Sequence, residues 1–241
     1  MIKCEILDIS GFAWAIRGMR NPKNSWDKSD SGVCGDFSTV HKDGHVGCDH
    51  KCPKWSPDNY CGYSERLQKF PYDYYMIGEN DLDLMKRLYE AGTEHRKYAR
   101  MICVWMDITA PLYWWKEFDT YKIGTVSNSC STMHKLHSRD LTIDDFSTDN
   151  LLIQNVMITE NLIDQLNQAR RNYMETGNKM WWWQMIQMLP SSYNQKRTVM
   201  MNYETVFRII EQRSNHKLHE WRDLVSILKR LPYVENIMCS R

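Results

Sequence analysis

Between Asn21 and Pro71 the chain carries almost no hydrophobic periodicity, and glycine, proline, aspartate, serine and cysteine dominate. A stretch of that length without periodic structure is unusual inside a compact domain. The core must therefore come from the sequence on either side, and the stretch itself reads as a lid, a metal-tied insert or a partly mobile region. A chain of 241 residues fits one large domain or two small ones, at roughly 100–200 residues per domain. The reading adopted is a single domain over 1–241 with an irregular Cys/His-rich insertion at about 21–71.

Composition supports a folded core and narrows the partners. Hydrophobic residues make up 42% and charged residues 25%, with 31 basic against 30 acidic side chains and a net charge of +1. That balance argues against a polyanion-coating role, so no nucleic-acid partner is expected. No apolar run approaches the 18 or so residues of a membrane span, so no membrane partner is expected. The opening "MIKCEILDISGFAWAIRGMR" lacks a long apolar signal region, and the expected location is cytoplasmic. Eight cysteines are too few for a disulfide scaffold, and reduced thiols are expected. Ten Trp, 13 Tyr and 15 Met beside six Phe suit pockets, subunit contacts or an ordinary core.

The periodic segments predict an α+β fold, a small antiparallel sheet with a helix-rich C-terminal half. "KCEILDI" reads as a strand. "NDLDLMKRLYEAG" reads as a helix with Leu82, Met85, Leu88 and Tyr89 on one face, Asn80 as cap and Gly92 as stop. A strand is expected from Tyr98 through Trp105, then a short aromatic helix, "PLYWWKEFDTYK", capped by Thr109. "IGTVSNSCSTMHK" reads as a polar binding loop. A long helix is expected over about 149–175, ended by Gly177, and another over "KMWWWQMIQML". "TVMMNYETVFRIIEQR" and "HEWRDLVSILKRL" complete the chain as a helical pair.

Several clusters carry candidate chemistry. His45, Cys48, Cys52 and Cys61 can supply four zinc ligands in a tetrahedron, and bound zinc would order a coreless insert. Unligated reduced cysteines are the alternative. The aromatic helix mixes rings with Lys116, Lys122, Glu117 and Asp119, which suits a nucleotide or flavin wall as well as a plain interface. "SNSCST" offers short donors and exposed amides of the kind that cradle phosphate, but lacks the phosphate-loop signature. Arg213 ends a helix just before Ser214, Asn215 and His216, a place for a phosphate fork.

The order of these pieces resembles the flavin-dependent thymidylate synthases. "GTEHRKYARMICVWMDITAPLYWW" is similar to the family segment that carries a Glu-His, a strand and the helix leading into its signature. "TYKIGTVSNSCSTMHK" stands where that signature reads Arg-His-Arg, two residues, Ser, one residue, Asn-Glu, one residue, Ser, one residue, Arg-Tyr. Without a gap, Lys122 falls on the second arginine; a slide of one aligns Asn128 and Ser131 instead. "LPSSYNQKRTVMMNYETVFRIIEQRSNHKLHEWR" resembles the second conserved region, with Asn202, Arg213, Glu220 and Arg222 in order. The likeness covers about residues 76–241 and the N-terminal strand. Thr120, Tyr121 and Glu204 depart from it, replacing an arginine, a histidine and an arginine.

The resemblance implies a flavin enzyme that methylates deoxyuridine monophosphate to thymidine monophosphate. FAD would be the cofactor, methylenetetrahydrofolate the one-carbon donor and NADPH the reductant, in a homotetramer with sites between subunits. It places His95, Tyr121, Lys122, Asn128 and Asn202 at the flavin, and Glu117, Ser129, Ser131 and Arg213 at the nucleotide. No protein nucleophile is implied. A closely related pyrimidine nucleotide modification belongs to the same reading. The alternatives are a non-catalytic relative that binds a nucleotide or protein partner, and a zinc-stabilised interaction protein.

Overall fold

The computed structural model describes residues 2–33 and 75–239. The zinc candidates His45, Cys48, Cys52 and Cys61 lie outside the described residues. Four strands form the main sheet: β1 (Lys3–Ser10), β4 (Cys103–Pro111), β6 (Asn194–Asn202) and β5 (Thr125–Ser129), in the antiparallel order β1-β4-β6-β5. A two-stranded antiparallel ribbon joins β2 (Gly32–Val33) to β3 (Tyr75–Met76), with Gly32 opposite Met76 and Val33 opposite Tyr75. The described helices are α1 (Phe12–Arg20), α2 (Glu79–Glu90), α3 (Leu112–Phe118), α4 (Thr132–Lys135), α5 (Ile153–Thr176), α6 (Lys179–Met188), α7 (Tyr203–Arg213), α8 (His219–Lys229) and α9 (Val234–Met238). The expected α+β class, with its small antiparallel sheet and helix-rich second half, is the observed one.

By contact density the chain divides into two units. The first comprises Met1–Glu5, Met106–Val199 and His216–Leu224. Its centre is aromatic. Trp114, Trp115, Phe118 and Trp221 are at most 1% exposed. Trp114 lies 4.7 Å from Trp221 and stacks on Phe118 at 5.1 Å. Such offset and edge-on pairs add to the burial energy of the rings. Trp115 donates its indole N–H to the Gln195 carbonyl at 2.9 Å, and the Arg197 guanidinium lies 4.2 Å from the Trp115 ring centroid. A second cluster of Leu141, Phe146, Ile163, Leu166, Ala169 and Met185 packs α5 on α6. Buried Asn167 joins it without a polar penalty, because its amide both accepts from and donates to the Leu141 backbone.

The second unit comprises Ile6–Trp105, Met200–Asn215 and Val225–Arg241. Phe12 meets Tyr203 and Tyr233 edge-on at 5.7 and 5.8 Å. Buried Tyr98 donates to the Met85 carbonyl at 2.9 Å, and Tyr203 to the Pro232 carbonyl at 3.1 Å. Gly11 has φ of 100°, and a Cβ there would stand 2.1 Å from the Met101 carbonyl oxygen. Only glycine meets both conditions.

The structure corrects several local expectations. Asn80 does not cap α2. The helix begins two residues earlier, at Glu79 with Gly78 in the cap position, and the carboxylate of Asp30 accepts the Asn80 and Asp81 amides at 2.9 and 3.1 Å. A cap supplied from so far along the chain leaves no local signature. Tyr98 to Met101 is a 3-10 turn, since adjacent Tyr98 and Ala99 are both buried and break strand alternation. Alternation starts properly at Val104, Met106, Ile108 and Ala110, all fully buried, so Thr109 stays in β4 and Pro111 takes the cap position of α3. "TVMMN" belongs to β6, with Val199 and Met201 turned inward. "TVSNS" is strand β5, not loop. The long helix starts at Ile153, four residues later than expected, and ends at Gly177 with φ of 65° as the stop signal predicts.

Candidate functional site

In the first unit, the chain leaves α3 through a tight turn, with the Tyr121 amide bonded to the Phe118 carbonyl at 2.9 Å. The turn buries Tyr121 at 2% exposure against Phe118 and Trp221. Lys122, one residue on, is exposed and makes no ion pair among the described residues. The next residues form β5, an outer strand of the sheet, with Asn128 and Ser129 exposed. Just beyond it, the Cys130 amide donates to the Lys196 carbonyl and its carbonyl accepts from Gln195 Nε2, each at 2.9 Å. Ser131 is half-buried, and its hydroxyl accepts the His134 amide at 3.1 Å, capping α4.

Glu117 sits on α3 against Trp221 of α8 and the His216 ring. Its Oε2 accepts the Trp221 indole N–H at 2.6 Å and lies 3.5 Å from His216 Nε2. His216 Nδ1 accepts the Leu218 amide at 3.2 Å. That bond makes Nδ1 the acceptor in the neutral ring, which leaves the proton on Nε2, towards Glu117. Glu220 is 1% exposed and accepts the Tyr113 hydroxyl. Burial and then the Glu220 carboxylate push the Tyr113 phenol well above its usual range. Arg222 donates to the His216 carbonyl at 2.6 Å. Arg222, which also donates to the Lys217 carbonyl at 3.1 Å, thus fixes the turn before α8, and Glu220 ties the start of that helix to Tyr113.

In the second unit, His95 lies in the turn after α2, with its amide bonded to Gly92 at 3.0 Å. It is exposed and lines a cleft of about 1440 Å³ between α1, the residues after it, α2 and the 97–101 turn. Its neighbour Arg96 points the other way, into the core. Arg96 Nε stands 2.9 Å from Glu204, and Nη1 donates to Glu211 at 3.1 Å. The guanidinium covers the Tyr89 ring at 4.8 Å, and the Tyr89 hydroxyl closes the network on Glu211 at 2.7 Å. Burial and then the Glu211 bond raise the Tyr89 phenol to about 12. Glu204, the residue that departs most sharply from the family pattern, is therefore a buried partner of Arg96.

Asn202 and Arg213 are brought to opposite ends of one helix. Asn202 caps α7, its Oδ1 accepting from Thr205 N at 3.0 Å and Thr205 Oγ1 at 3.1 Å. Arg213 is the half-buried last residue. Eleven helical residues separate them by about 16 Å at 1.5 Å per residue. A single ligand contact set cannot include both unless the ligand is extended. Sequence reasoning gave no site role to Arg96, Tyr89, Glu211 or His216. The adjacent position of Arg96 and His95 was the one available signal for the first of these. Among the described residues no group of three or more His, Cys, Asp or Glu could hold a metal ion.

No protein-family model matches the sequence, and no curated protein is similar to it in sequence. Solved structures do match. Thymidylate Synthase X (ThyX) from Helicobacter pylori, crystallised with FAD and dUMP, superposes with a TM-score of 0.61 at 13% identity, over 99% of this chain and 98% of that one. A second structure of flavin-dependent thymidylate synthase ThyX from Helicobacter pylori, complexed with FAD and dUMP, gives 0.60 at 14% identity, over 98% of both chains. The chain has the fold of the flavin-dependent thymidylate synthases.

Proposed function

We propose that the protein is a divergent flavin-dependent thymidylate synthase, which methylates deoxyuridine monophosphate with methylenetetrahydrofolate and NADPH, or performs a closely related pyrimidine nucleotide modification. One observation carries the reading: the end-to-end match to two structures that hold FAD and dUMP. Fold alone does not fix activity, so the side chains must also suit the ligands.

They suit a flavin in part. Lys122, Asn128 and His95 are exposed polar groups, and the Arg96 guanidinium, shared between Glu204 and Glu211, offsets part of the charge that Glu204 would otherwise turn against a flavin phosphate. Asn202 keeps its amide N–H donors, although its oxygen is held by Thr205. Tyr121 is packed in the aromatic centre against Phe118 and Trp221. FAD, when bound, carries the hydride chemistry. This chain's residues would hold and orient the ligands: Lys122 and His95 at the flavin, Arg213 at the nucleotide phosphate, Ser129 and Ser131 as short donors, and Glu117 beside the base. Glu117 departs from the family's glutamine. As a carboxylate it accepts but does not donate, so it favours a ligand edge that presents an N–H.

The homotetramer belongs to the same proposal. Leu152, Ile153, Met157 and Ile158 are 57–74% exposed along the start of α5. An apolar patch of that kind on a monomer marks a contact surface. The second reading, a binding protein without catalysis, draws on the loss of basic residues at Thr120 and Glu204. Calorimetric titration of deoxyuridine monophosphate into the FAD-supplemented protein tests the nucleotide site. Binding by the parent chain and at least tenfold weaker binding by Arg213→Ala are expected, since a charge-assisted fork is lost. Equal affinity would remove Arg213 from the site. Binding without thymidylate formation would favour the second reading.

A further inference from the structure

The wall of the His95 cleft formed by residues 21–28 is built differently from the rest of the second unit. It consists of two short 3-10 turns, Asn21–Lys23 and Trp26–Lys28, and neither contains a buried residue. Every hydrogen bond that these residues make to another described residue stays within positions 17–29. Trp26 is 43% exposed; it donates to Asn21 Oδ1 at 2.8 Å and lies under the Arg17 guanidinium at 5.7 Å. With no apolar burial, this segment has little free energy holding it closed.

Its two ends meet on one carboxylate. Arg20, just before the segment, donates to Asp81 Oδ1 at 2.5 Å. Just after it, Ser29 Oγ, the Asp30 amide and Ser31 Oγ donate to Asp81 Oδ2 at 2.7, 3.2 and 2.6 Å. Asp30 returns the contact by capping α2, and Ser31 Oγ accepts the Gly78 amide at 3.0 Å. Gly78 is required there, because a Cβ would stand 2.2 Å from Asp30 Cγ. Asp81 is fully buried and Arg20 is 5% exposed. Burial alone would raise the Asp81 pKa, but the bonds from Ser31, Ser29 and Arg20 hold it below the usual carboxylate range. The result is a compact loop closed at its neck by a buried, fully bonded ion, with an exposed body.

We propose that residues 21–28 are a lid on the cleft that opens by local melting while the Asp81 neck stays bonded. Opening removes one wall of the cleft and widens the approach to its interior; reclosing is guided because both ends never leave Asp81. The lid does not depend on which ligand the cleft takes.

Amide hydrogen exchange on the full-length protein, resolved residue by residue, tests this. The Asn24, Ser25, Lys28 and Ser29 amides are expected to exchange together, at least tenfold faster than the Asp30, Asn80 and Asp81 amides at the neck. Trp26→Ala should accelerate the first group further and leave the second unchanged. Ser29→Ala with Ser31→Ala keeps the Arg20–Asp81 pair, so the chain retains its buried ion partner. In that variant the neck amides should accelerate at least tenfold towards the lid rate, with Met85 in α2 unaffected. Asp81→Asn should do the same more strongly. Lid amides as slow as the neck amides in the parent protein would overturn the proposal. So would lid and neck rates that stay separate in the double-serine variant.

Discussion

Two polar regions that look alike in sequence differ in what is left over for a ligand. Around α7, Glu204, Glu211 and Arg96 are bonded to one another and to Tyr89. Around β5, Lys122, Asn128 and Ser129 face solvent with no ion pair among the described residues. Both regions carry positions that the family resemblance ties to ligands. The difference teaches that a charged residue type does not mark a site until its existing partners are counted. Glu204 reads as a charge reversal in a binding motif, yet it holds a buried arginine in place.

The contrast can be broken most forcefully at Arg96. Its side chain and that of Glu204 are only 6% and 10% exposed. Breaking such a buried pair costs on the order of 3–5 kcal/mol, because a charge is left alone in the interior. Arg96→Ala should lower unfolding free energy in urea by that amount. Exchanging the two charges, Arg96→Glu with Glu204→Arg, should recover a substantial part of the loss. A stable Arg96→Ala protein would place the α7 network in the same class as the open β5 surface.

Acid sharpens the comparison next. Asp81 has a folded pKa below its unfolded value of roughly 3.9. Its contribution to stability is therefore complete above that unfolded value and is lost as pH falls through the lower folded one. Hydrogen exchange at the neck should hold steady from neutral pH to about pH 5 after correction for intrinsic rates, then rise steeply below about pH 4. Removing the α7 cap is a smaller test. Asn202→Ala should cost about 1 kcal/mol, the usual worth of an N-cap, read as a shift in the urea midpoint. The smallest effect is expected at the open surface. Lys122→Ala and Asn128→Ala should each change stability by less than about 0.5 kcal/mol while weakening ligand binding.

Much of the architecture was legible because periodicity and stop signals reflect local physics. Gly177 ended α5 where its left-handed φ allows, and the aromatic run of α3 announced a buried face. What failed was non-local. Asp30 caps α2 from across the chain, and Tyr98 is turned inward by Met85, so neither leaves a neighbouring cue. "TVSNS" lacked the apolar alternation of a buried strand because it lies at a sheet edge with four of its five residues exposed. For the site, motif order singled out Lys122, Asn128, Asn202 and Arg213 as candidates. It carried no information that Tyr121 is packed in the core, that His216 faces Glu117, or that Arg96 answers Glu204.

The account stands most directly on whether the open β5 surface of this fold receives a flavin. Titrating FAD into the purified protein, with flavin fluorescence as the readout, measures that. Saturable binding by the parent protein is predicted, weakened at least tenfold by Lys122→Ala with an unchanged melting temperature. Absence of FAD binding by the parent protein, or equal binding by the variant, would contradict it.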